Sequence, residues 1–339
     1  MSGAIFTAAL GAVLPIILLI LLGYVLRCAG FFSDAFLAVG SRLVFRVCLP
    51  VMLFLSVYGI ESLAAMPWDT VLYTVAAVLV IFGLGLATAL AVTKEPGRRG
   101  VLLQCAFRSN FAIIGLPLAT TLGGAEGAAV AAVLSAVTVP LFNVLAVVSL
   151  SVFRTEAGQG VSAKKIIGDI AKNPLILGVA AGLASLLVRR WQVNCFGAVV
   201  FSFERDVPVL FRTLGDLSSV TSPFALLVLG GQFRFSAVGG LWKEIAAGTL
   251  WRTVLAPVIG LGGAVVLSRW GLLACGAGEY PALIALFGSP VAVSSAVMAR
   301  EMHGDEQLAT QLLVWTSLAS ALTVFAIVCV MMGAGLLAV

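Results

Sequence analysis

Long apolar segments, separated by short polar ones, follow each other along almost the whole chain. A helix that crosses the hydrocarbon core of a bilayer needs about 20 mainly apolar residues. Ten segments have that character, so the pattern predicts an all-α integral membrane protein with ten transmembrane helices. The predicted helices occupy residues 4–26, 35–59, 70–92, 101–122, 127–152, 173–189, 207–232, 246–268, 281–299 and 306–333.

The fourth and the ninth predicted helices each contain a glycine followed two residues later by a proline, at Gly115–Pro117 and Gly288–Pro290. Proline lacks a backbone N–H and disrupts a helix interior. In lipid, the backbone groups that such a break frees need partners within the protein or in a water-filled cavity. Breaks at corresponding positions of two halves point to the binding site of a transporter. We therefore predict that helices four and nine are broken at these motifs.

The spacing of the prolines indicates an internal repeat. Pro117 follows Pro50 by 67 residues, and Pro290 follows Pro223 by the same 67 residues. Each half contains five predicted helices, and because five is an odd number the second half enters the membrane from the opposite side. The sequence therefore predicts two inverted five-helix repeats.

The boundaries of these repeats follow from the predicted helices. The first repeat occupies residues 1–153 and the second occupies residues 173–339. The linker between them, residues 154–172, is predicted to be cytoplasmic. It contains an amphipathic stretch at 161–172, which predicts a short helix on the membrane surface.

Composition supports the membrane assignment. The chain is 61% hydrophobic and 10% charged, with a mean hydropathy of +1.14. Soluble domains are about a quarter charged. The net charge of +5 is therefore attributed to membrane loops and not to nucleic-acid binding.

The basic residues also orient the chain, because cytoplasmic loops carry an excess of lysine and arginine. Eleven basic residues fall on one side of the predicted membrane and four on the other, so both termini are predicted to be extracytoplasmic. The larger set is Arg27, Lys94, Arg98, Arg99, Arg154, Lys164, Lys165, Lys172, Arg234, Lys243 and Arg300. The smaller set is Arg189, Arg190, Arg205 and Arg269.

Several kinds of chemistry are not expected. His303 is the only histidine and no Cys-x-x-Cys occurs, so we predict no metal site and no cofactor. No Gly-x-x-x-x-Gly-Lys-Ser/Thr motif occurs, so ATP is not expected to drive the protein directly. Cysteines are most simply interpreted as small apolar residues. A disulfide between Cys195 and Cys275 is the alternative, because both fall in loops on one side.

Four stretches of the sequence carry a family resemblance. They are Leu43–Pro50, Phe107–Leu118, Lys172–Gly178 and Ser289–Val293, the last continued at Ala299–Glu301. In these stretches the chain resembles the auxin efflux carriers, also called PIN-like carriers, in their bacterial branch. The resemblance extends over nearly the whole chain.

That resemblance implies a function and an architecture. It implies a secondary carrier of small organic anions, such as auxin, malonate and other carboxylates, in the inner membrane of a bacterium. Helices 1, 2, 6 and 7 would form a scaffold, and helices 3–5 and 8–10 a transport domain in which the broken helices cross. Transport would use an elevator motion, and the carrier would form a homodimer through its scaffold. The short linker of this chain implies none of the regulation that plant carriers obtain from a long loop.

The predicted breaks offer an anion site. The N-terminus of a half-helix presents free N–H groups and a partial positive charge, which suit a carboxylate. The half-helix after the first break contains Thr120, and the half-helix after the second contains Ser294. The candidate substrate-binding residues are Arg108, Asn110, Gly115, Pro117, Thr120, Gly288, Ser289, Pro290 and Ser294.

Two of these candidates have alternative interpretations. The resemblance puts the family's crossover asparagine at Asn110, whose amide would donate to the substrate; the alternative is a hydrogen bond between helices. A charge inside a span is costly and suggests function, so Arg108 is a candidate for direct anion contact. The alternatives for Arg108 are a structural or gating role, by pairing with an acid or by snorkelling.

Candidate residues for coupling to H+ or Na+ are Asp216 and Asp69. Arg212 and Asp216 are four residues apart on one helical face, so they are predicted to form an ion pair, with proton coupling by Asp216 as the alternative. Asp69 lies where some plant relatives have a functional aspartate. Snorkelling is predicted for Arg42, Arg46 and Arg252.

Other polar residues have two interpretations. Those in helices five and ten would line the substrate path or pack closely between helices. Charged residues between helices nine and ten are expected to be solvated. The first group is Thr138, Asn143, Gln311, Thr316, Ser317 and Ser320, and the second is Glu301, His303, Asp305 and Glu306.

The sequence leaves other functions open beside the organic-anion carrier. A sodium- or proton-coupled carrier of the bile-acid or sodium/proton antiporter type also has crossed broken helices, but it usually needs acids at the crossover. No acid lies beside Pro117 or Pro290. A membrane-embedded enzyme needs clustered histidine, aspartate or glutamate, so we predict that the chain is not an enzyme. A sensor would have the same sequence features as a carrier.

Overall fold

The fold is given by a computed structural model that describes residues 2–59, 67–153, 168, 172–233 and 238–337. Within these ranges the elements are helical, and no β-strand occurs; one isolated antiparallel bridge joins Ser109 to Val291. In the part of the chain that the structure describes, seven helices are long and apolar enough to cross a membrane, and a shorter apolar helix covers Ile17–Cys28. The prediction of an all-α membrane protein is confirmed, and the count of ten spans stays a prediction.

The first half of the chain contains six α-helices and two π-helical turns in its described residues. These are α1 (Ser2–Cys28), α2 (Asp34–Leu43), a π turn (Val44–Cys48), α3 (Leu49–Tyr58), α4 (Trp68–Val92), α5 (Pro96–Phe107), a π turn (Phe111–Gly115) and α6 (Leu116–Val152). Helix α6 is kinked at Gly124, where φ is 56°. The kink divides it where the fourth and fifth predicted helices meet.

The described residues of the second half contain eight α-helices and one π-helical turn. These are α7 (Pro174–Phe196), α8 (Phe203–Asp206), α9 (Pro208–Gln232), α10 (Val238–Leu250), a π turn (Trp251–Leu255), α11 (Ala256–Arg269), α12 (Glu279–Gly288), α13 (Ser294–Glu301) and α14 (Glu306–Gly333). Most of the predicted amphipathic helix at 161–172 lies outside the described residues, as do Arg154, Lys164, Lys165 and Arg234.

Each π turn ends two residues before a proline, at Pro50, Pro117 and Pro257. A proline inside an α-helix lacks an N–H and its ring clashes with the carbonyl four residues earlier. In each case that carbonyl lies within the wider π turn. The helix therefore continues through the proline instead of breaking.

This continuity overturns the predicted break at Gly115–Pro117. Gly115 has helical angles, φ −66° and ψ −45°, and Pro117 lies in the first turn of α6. The chain leaves the helix earlier, at Arg108, with φ −86° and ψ 106°, and at Asn110, with φ −80° and ψ 45°. The second predicted break is correct, because α12 ends at Gly288 and the next residue is extended.

Two helix pairs approach closely through glycine. Helix α1 packs on α9, where a Cβ atom on Gly23 would lie 2.1 Å from the carbonyl oxygen of Leu227 and one on Gly230 would lie 2.0 Å from that of Ile20. Helix α3 packs on α7, where a Cβ on Gly178 would lie 2.4 Å from the carbonyl oxygen of Pro50. Small residues allow this backbone contact between membrane helices.

The broken helices lie inside the bundle. All residues from Gly100 to Phe107 in α5 are buried, and so are all residues from Tyr280 to Gly288 in α12. Because these half-helices are surrounded by longer ones, the backbone groups at their ends meet protein and not lipid.

Candidate functional site

The two breaks touch each other through their backbones. The N–H of Asn110 donates to the carbonyl oxygen of Pro290 at 2.8 Å, and the N–H of Ala292 donates to that of Arg108 at 3.3 Å. Each break therefore satisfies backbone groups that the other leaves free. Backbone hydrogen bonds at the crossing therefore join the first half of the chain to the second.

A helix from the second half also fastens the junction. The hydroxyl oxygen of Thr316 on α14 accepts a hydrogen bond from the N–H of Val291 at 3.2 Å. The hydroxyl of Ser289 donates to the carbonyl oxygen of Ala285, in the last turns of α12. Hydrogen bonds to α12 and to α14 therefore fix the residues on either side of Pro290.

A small cavity of about 40 Å³ lies beside the crossing. Residues of α3 and α9 form one wall, and residues of the two breaks and of α6 form the other. The volume is enough for a few water molecules or a carboxylate group. The lining residues are Leu49, Met52, Leu53, Arg108, Ser109, Asn110, Val139, Phe142, Asn143, Thr221, Ser222, Ala225, Ala292, Val293 and Ser294.

Arg108 brings a positive charge to this cavity. The residue is 2% exposed. Its Nη2 donates to Oδ1 of Asn143 and to Oγ of Ser294, both at 2.7 Å, and its Nη1 donates to Sδ of Met298 at 2.6 Å. All three partners are neutral, and no carboxylate of the described residues forms an ion pair with Arg108. A buried charge without a counter-ion is strongly unfavourable, so the site is suited to an anion.

Two further polar groups of the cavity lack a protein partner. Nδ2 of Asn110 and Oγ of Ser109 are buried and make no hydrogen bond to the described residues. A buried donor without a partner destabilises a protein by about 1–3 kcal/mol. Both groups are therefore free to donate a hydrogen bond to a ligand in the cavity. They lie on the same wall of the cavity as Arg108.

The cavity brings together three of the predicted substrate-binding residues, Arg108, Asn110 and Ser294. It also contains Asn143, which the sequence had suggested as a path residue, and Ser109, which sequence reasoning missed. The signal for Ser109 was present, because three polar residues in a row are unusual inside an apolar span.

The other predicted binding residues in the first half lie elsewhere. Gly115 is buried against Phe111 and close to the carbonyl oxygen of Ala285. Pro117 and Thr120 are exposed, and the hydroxyl of Thr120 donates to a carbonyl of its own helix. None of these three lines the cavity, because the real break precedes them by about two turns.

In the second half, Gly288, Ser289 and Pro290 form the break without lining the cavity. Pro290 acts through its carbonyl oxygen, which accepts the bond from Asn110. These residues shape the crossing on which the cavity depends.

The coupling candidates lie away from the cavity. Asp216 and Arg212 are both exposed on α9, and no ion pair joins them. The predicted pair is therefore wrong, and both side chains lie on the exposed face of α9. Asp69 is exposed in the first turn of α4.

Arg252 also differs from its prediction. It is 1% exposed and does not snorkel, whereas Arg42 and Arg46 stay exposed. Its guanidinium donates to backbone carbonyls of α5 and α12, including that of Ala106 at 3.3 Å. These partners could not be predicted from the sequence, because they come from distant segments.

The charged residues expected to be solvated are partly paired. Arg98 lies 3.1 Å from Asp305 and 3.0 Å from Glu244, and Arg300 lies 2.9 Å from Glu306. These ion pairs connect α5, α10, α13 and the start of α14 at one end of the bundle.

The six cysteines are free, so the alternative of a Cys195–Cys275 disulfide is wrong. Among the described residues no group of three or more His, Cys, Asp or Glu side chains could hold a metal ion.

Comparison with known proteins agrees with the assignment to the membrane. No curated protein matches the chain. A family model described as membrane transport protein matches residues 8–328, almost the whole chain. This match confirms the resemblance to the auxin efflux carriers, and the bacterial branch stays a prediction. The chain therefore belongs to the membrane transport protein family, the family of the auxin efflux carriers.

Proposed function

We propose that the protein is a secondary carrier of small organic anions, in particular carboxylates. The observation that carries this proposal is Arg108, a buried cation with only neutral partners, in the wall of a cavity at the helix crossing. Membership of a transporter family supports the more general part of the proposal, that the protein is a membrane transporter.

The other groups of the cavity suit a carboxylate. The unpartnered donors of Asn110 and Ser109 would bind its oxygens beside the guanidinium of Arg108. Ser294 begins α13, so the positive end of that helix dipole also faces the cavity. A neutral ligand would leave the charge of Arg108 uncompensated, and this difference gives the site its selectivity.

The architecture that we propose is two inverted five-helix repeats, residues 1–153 and 173–339. Two features support it. The breaks in the two halves cross, and the packing of α1 on α9 is mirrored by that of α7 on α3. Exchanging the two repeats interchanges these helix pairs, as expected for inverted repeats.

The cavity suggests how the carrier moves. The wall formed by α3 and α9 belongs to the proposed scaffold, and the wall that carries Arg108 belongs to the proposed transport domain. An elevator motion of one wall against the other would expose the anion to each side of the membrane in turn. The cavity of about 40 Å³ would widen between the walls to accept a ligand larger than a carboxylate group.

The remaining features of the proposal concern location and partners. We place the carrier in the inner membrane of a bacterium, with both termini extracytoplasmic and as a homodimer.

Coupling to H+ or Na+ through Asp216 or Asp69 is disfavoured, because both side chains are exposed and neither lines the cavity. The same observation disfavours the antiporter-type alternative.

A thermal-shift assay on purified protein tests the site. Malonate, acetate and indole-3-acetate would be compared with malonamide, which has the shape of malonate without its charge. We expect a carboxylate to raise the melting temperature of the wild type and of Gln104→Ala, but not of Asn110→Ala. Gln104 is a matched control, because it is a buried amide with an unpartnered Nε2 outside the cavity.

Uptake into proteoliposomes then tests transport by the same variants. Binding without uptake would contradict a carrier and favour a sensor. Equal stabilisation of the wild type and of Asn110→Ala by a carboxylate would leave a carrier but remove the site from the crossing.

A further inference from the structure

Arg252 is a second buried arginine, and it lies where two half-helices end. It belongs to the π turn Trp251–Leu255, between α10 and α11. Its Nη1 donates to the carbonyl oxygen of Ala106 at 3.3 Å, and its Nη2 donates to the carbonyl oxygens of Leu286, at 3.4 Å, and Phe287. These three carbonyls are in the last turns of α5 and α12.

The ends of these helices need a cation. The last four carbonyls of a helix have no partner within it, and the helix dipole puts a partial negative charge there. Helix α5 ends at Phe107 and α12 ends at Gly288, so two negative ends converge inside the bundle. The guanidinium of Arg252 bridges both ends, and no carboxylate of the described residues pairs with it.

In carriers with broken helices, carbonyls at half-helix C-termini are the groups that coordinate a coupling cation. We propose that Arg252 is a resident cation that takes this place, so that anion transport by this chain does not require Na+. The inference rests on the proposed carrier function and deepens it. Arg252 is a positioning residue, since it contacts the ends of the half-helices and not the cavity.

A resident cation at Arg252 determines how much charge crosses the membrane in each transport cycle. A guanidinium on the chain cannot leave with the substrate, so the half-helix ends stay neutralised in loaded and empty carriers alike. The charge that crosses the membrane in each cycle is then that of the anion alone. Transport follows the anion gradient and the membrane potential.

Wild-type uptake provides the first test. Malonate uptake into proteoliposomes would be measured in sodium chloride and in choline chloride at equal ionic strength. We expect the two rates to agree within about twofold. A loss of about tenfold or more on removing Na+ would overturn the proposal. If the wild type moves no carboxylate in either medium, the proposed function fails, and the next test still examines the resident cation.

The second test is rescue of a truncated side chain. Arg252→Ala opens a space between the half-helix ends that a small free cation can fill. We expect millimolar guanidinium to raise the melting temperature of Arg252→Ala, with choline as the control cation. Guanidinium should leave the wild type and Arg269→Ala unchanged, since Arg269 is exposed at the end of α11. No greater effect of guanidinium on Arg252→Ala than on the wild type would overturn the proposal.

A third comparison separates charge from packing. Arg252→Lys keeps the positive charge, and Arg252→Met keeps much of the volume without it. We expect the lysine variant to retain at least about a tenth of wild-type uptake and the methionine variant to retain much less. Equal uptake by the two variants would show that Arg252 only fills space. This comparison also serves if Arg252→Ala does not fold.

Discussion

Nη2 of Arg108 lies 2.7 Å from Oδ1 of Asn143, and Nδ2 of the same asparagine donates to the carbonyl oxygen of Val139 at 2.7 Å. The second bond fixes the amide with its oxygen toward the guanidinium. Asn143 therefore positions Arg108 while leaving its charge free for another group. An aspartate at this position would have nearly the same shape but would neutralise the guanidinium.

Asn143→Asp is predicted to separate stability from binding. The new carboxylate would form a buried ion pair with Arg108 and would lose the hydrogen bond from Nδ2 to Val139. Because the two effects oppose each other, the melting temperature should stay near the wild-type value. Affinity for a carboxylate should fall by about tenfold or more, because the anion would compete with an internal one. Thermal unfolding and ligand-induced shifts measure both effects.

Asn143→Ala is the control for that variant. It removes the hydrogen bond without adding a charge, so it should lower the melting temperature but retain more carboxylate affinity than Asn143→Asp. If the aspartate variant binds carboxylate as the wild type does, Arg108 is not the group that binds the anion.

Thr316→Val is predicted to loosen the second break. It removes the acceptor for the N–H of Val291, and an unpartnered buried group destabilises by about 1–3 kcal/mol. Since the neighbouring Ala292 lines the cavity, the Michaelis constant for the transported anion should also rise. Thr310→Val is the matched control, because Thr310 is buried on the same helix and bonds only to a carbonyl of α14. Equal effects of the two variants would argue against a role for this contact.

Gly230→Ala is predicted to separate α1 from α9. Its Cβ would lie 2.0 Å from the carbonyl oxygen of Ile20, so one helix must shift, and overpacking of this kind destabilises by about 1–3 kcal/mol or more. In Gly262→Ala the new Cβ meets nothing within 4 Å, so that variant should be as stable as the wild type or more so. Unfolding of the purified variants measures the difference. A neutral Gly230→Ala would mean that the two helices are not in backbone contact.

Cysteine labelling in intact cells is predicted to report the orientation. Cys195, near the end of α7, and Cys28, at the end of α1, are both exposed and lie on opposite sides in the proposed topology. A membrane-impermeant maleimide should label Cys195 at once and Cys28 only after the membrane is opened. The reverse order would place both termini in the cytoplasm.

The same assay makes a prediction about pH. Burial, followed by the nearby Glu279, raises the pKa of the Cys275 thiol to about 11. The thiolate is the reactive form, so Cys275 should react slowly near neutral pH and faster as the pH approaches that value. A variant that keeps Cys275 as its only half-exposed or exposed cysteine would show this dependence. A rate that does not change with pH would indicate that Cys275 is more open to solvent.

The long apolar segments were sufficient to predict an all-α membrane protein, because the need to satisfy the backbone in lipid leaves few alternatives. The Gly288–Pro290 motif placed the second break correctly. The predicted position of the first break is wrong because a proline does not always break a helix, and here a π turn accommodates Pro117. The polar run from Arg108 to Asn110 was the better signal, since asparagine and serine side chains compete with helical hydrogen bonds.

The partners within the site could not be predicted from the sequence. Arg252 and Ala106 are far apart along the chain, and so are Arg108 and Ser294. Only the crossing of the helices brings these residues together. Local patterns contain no information on which carbonyls a buried arginine will reach.

The three π turns have a consequence for reading related sequences. An α-helix turns by about 100° per residue, and a π turn contains one residue more than the regular repeat. The side of the helix that faces the bundle before a π turn is therefore rotated after it. A single helical period cannot describe the buried positions along the two continuous helices Asp34–Tyr58 and Gly239–Arg269. Related chains without Pro50 or Pro257 should align with this one through a gap of a single residue. In the helix Gly239–Arg269, the presence or absence of that extra residue would determine whether an arginine at position 252 faces the crossing or the lipid.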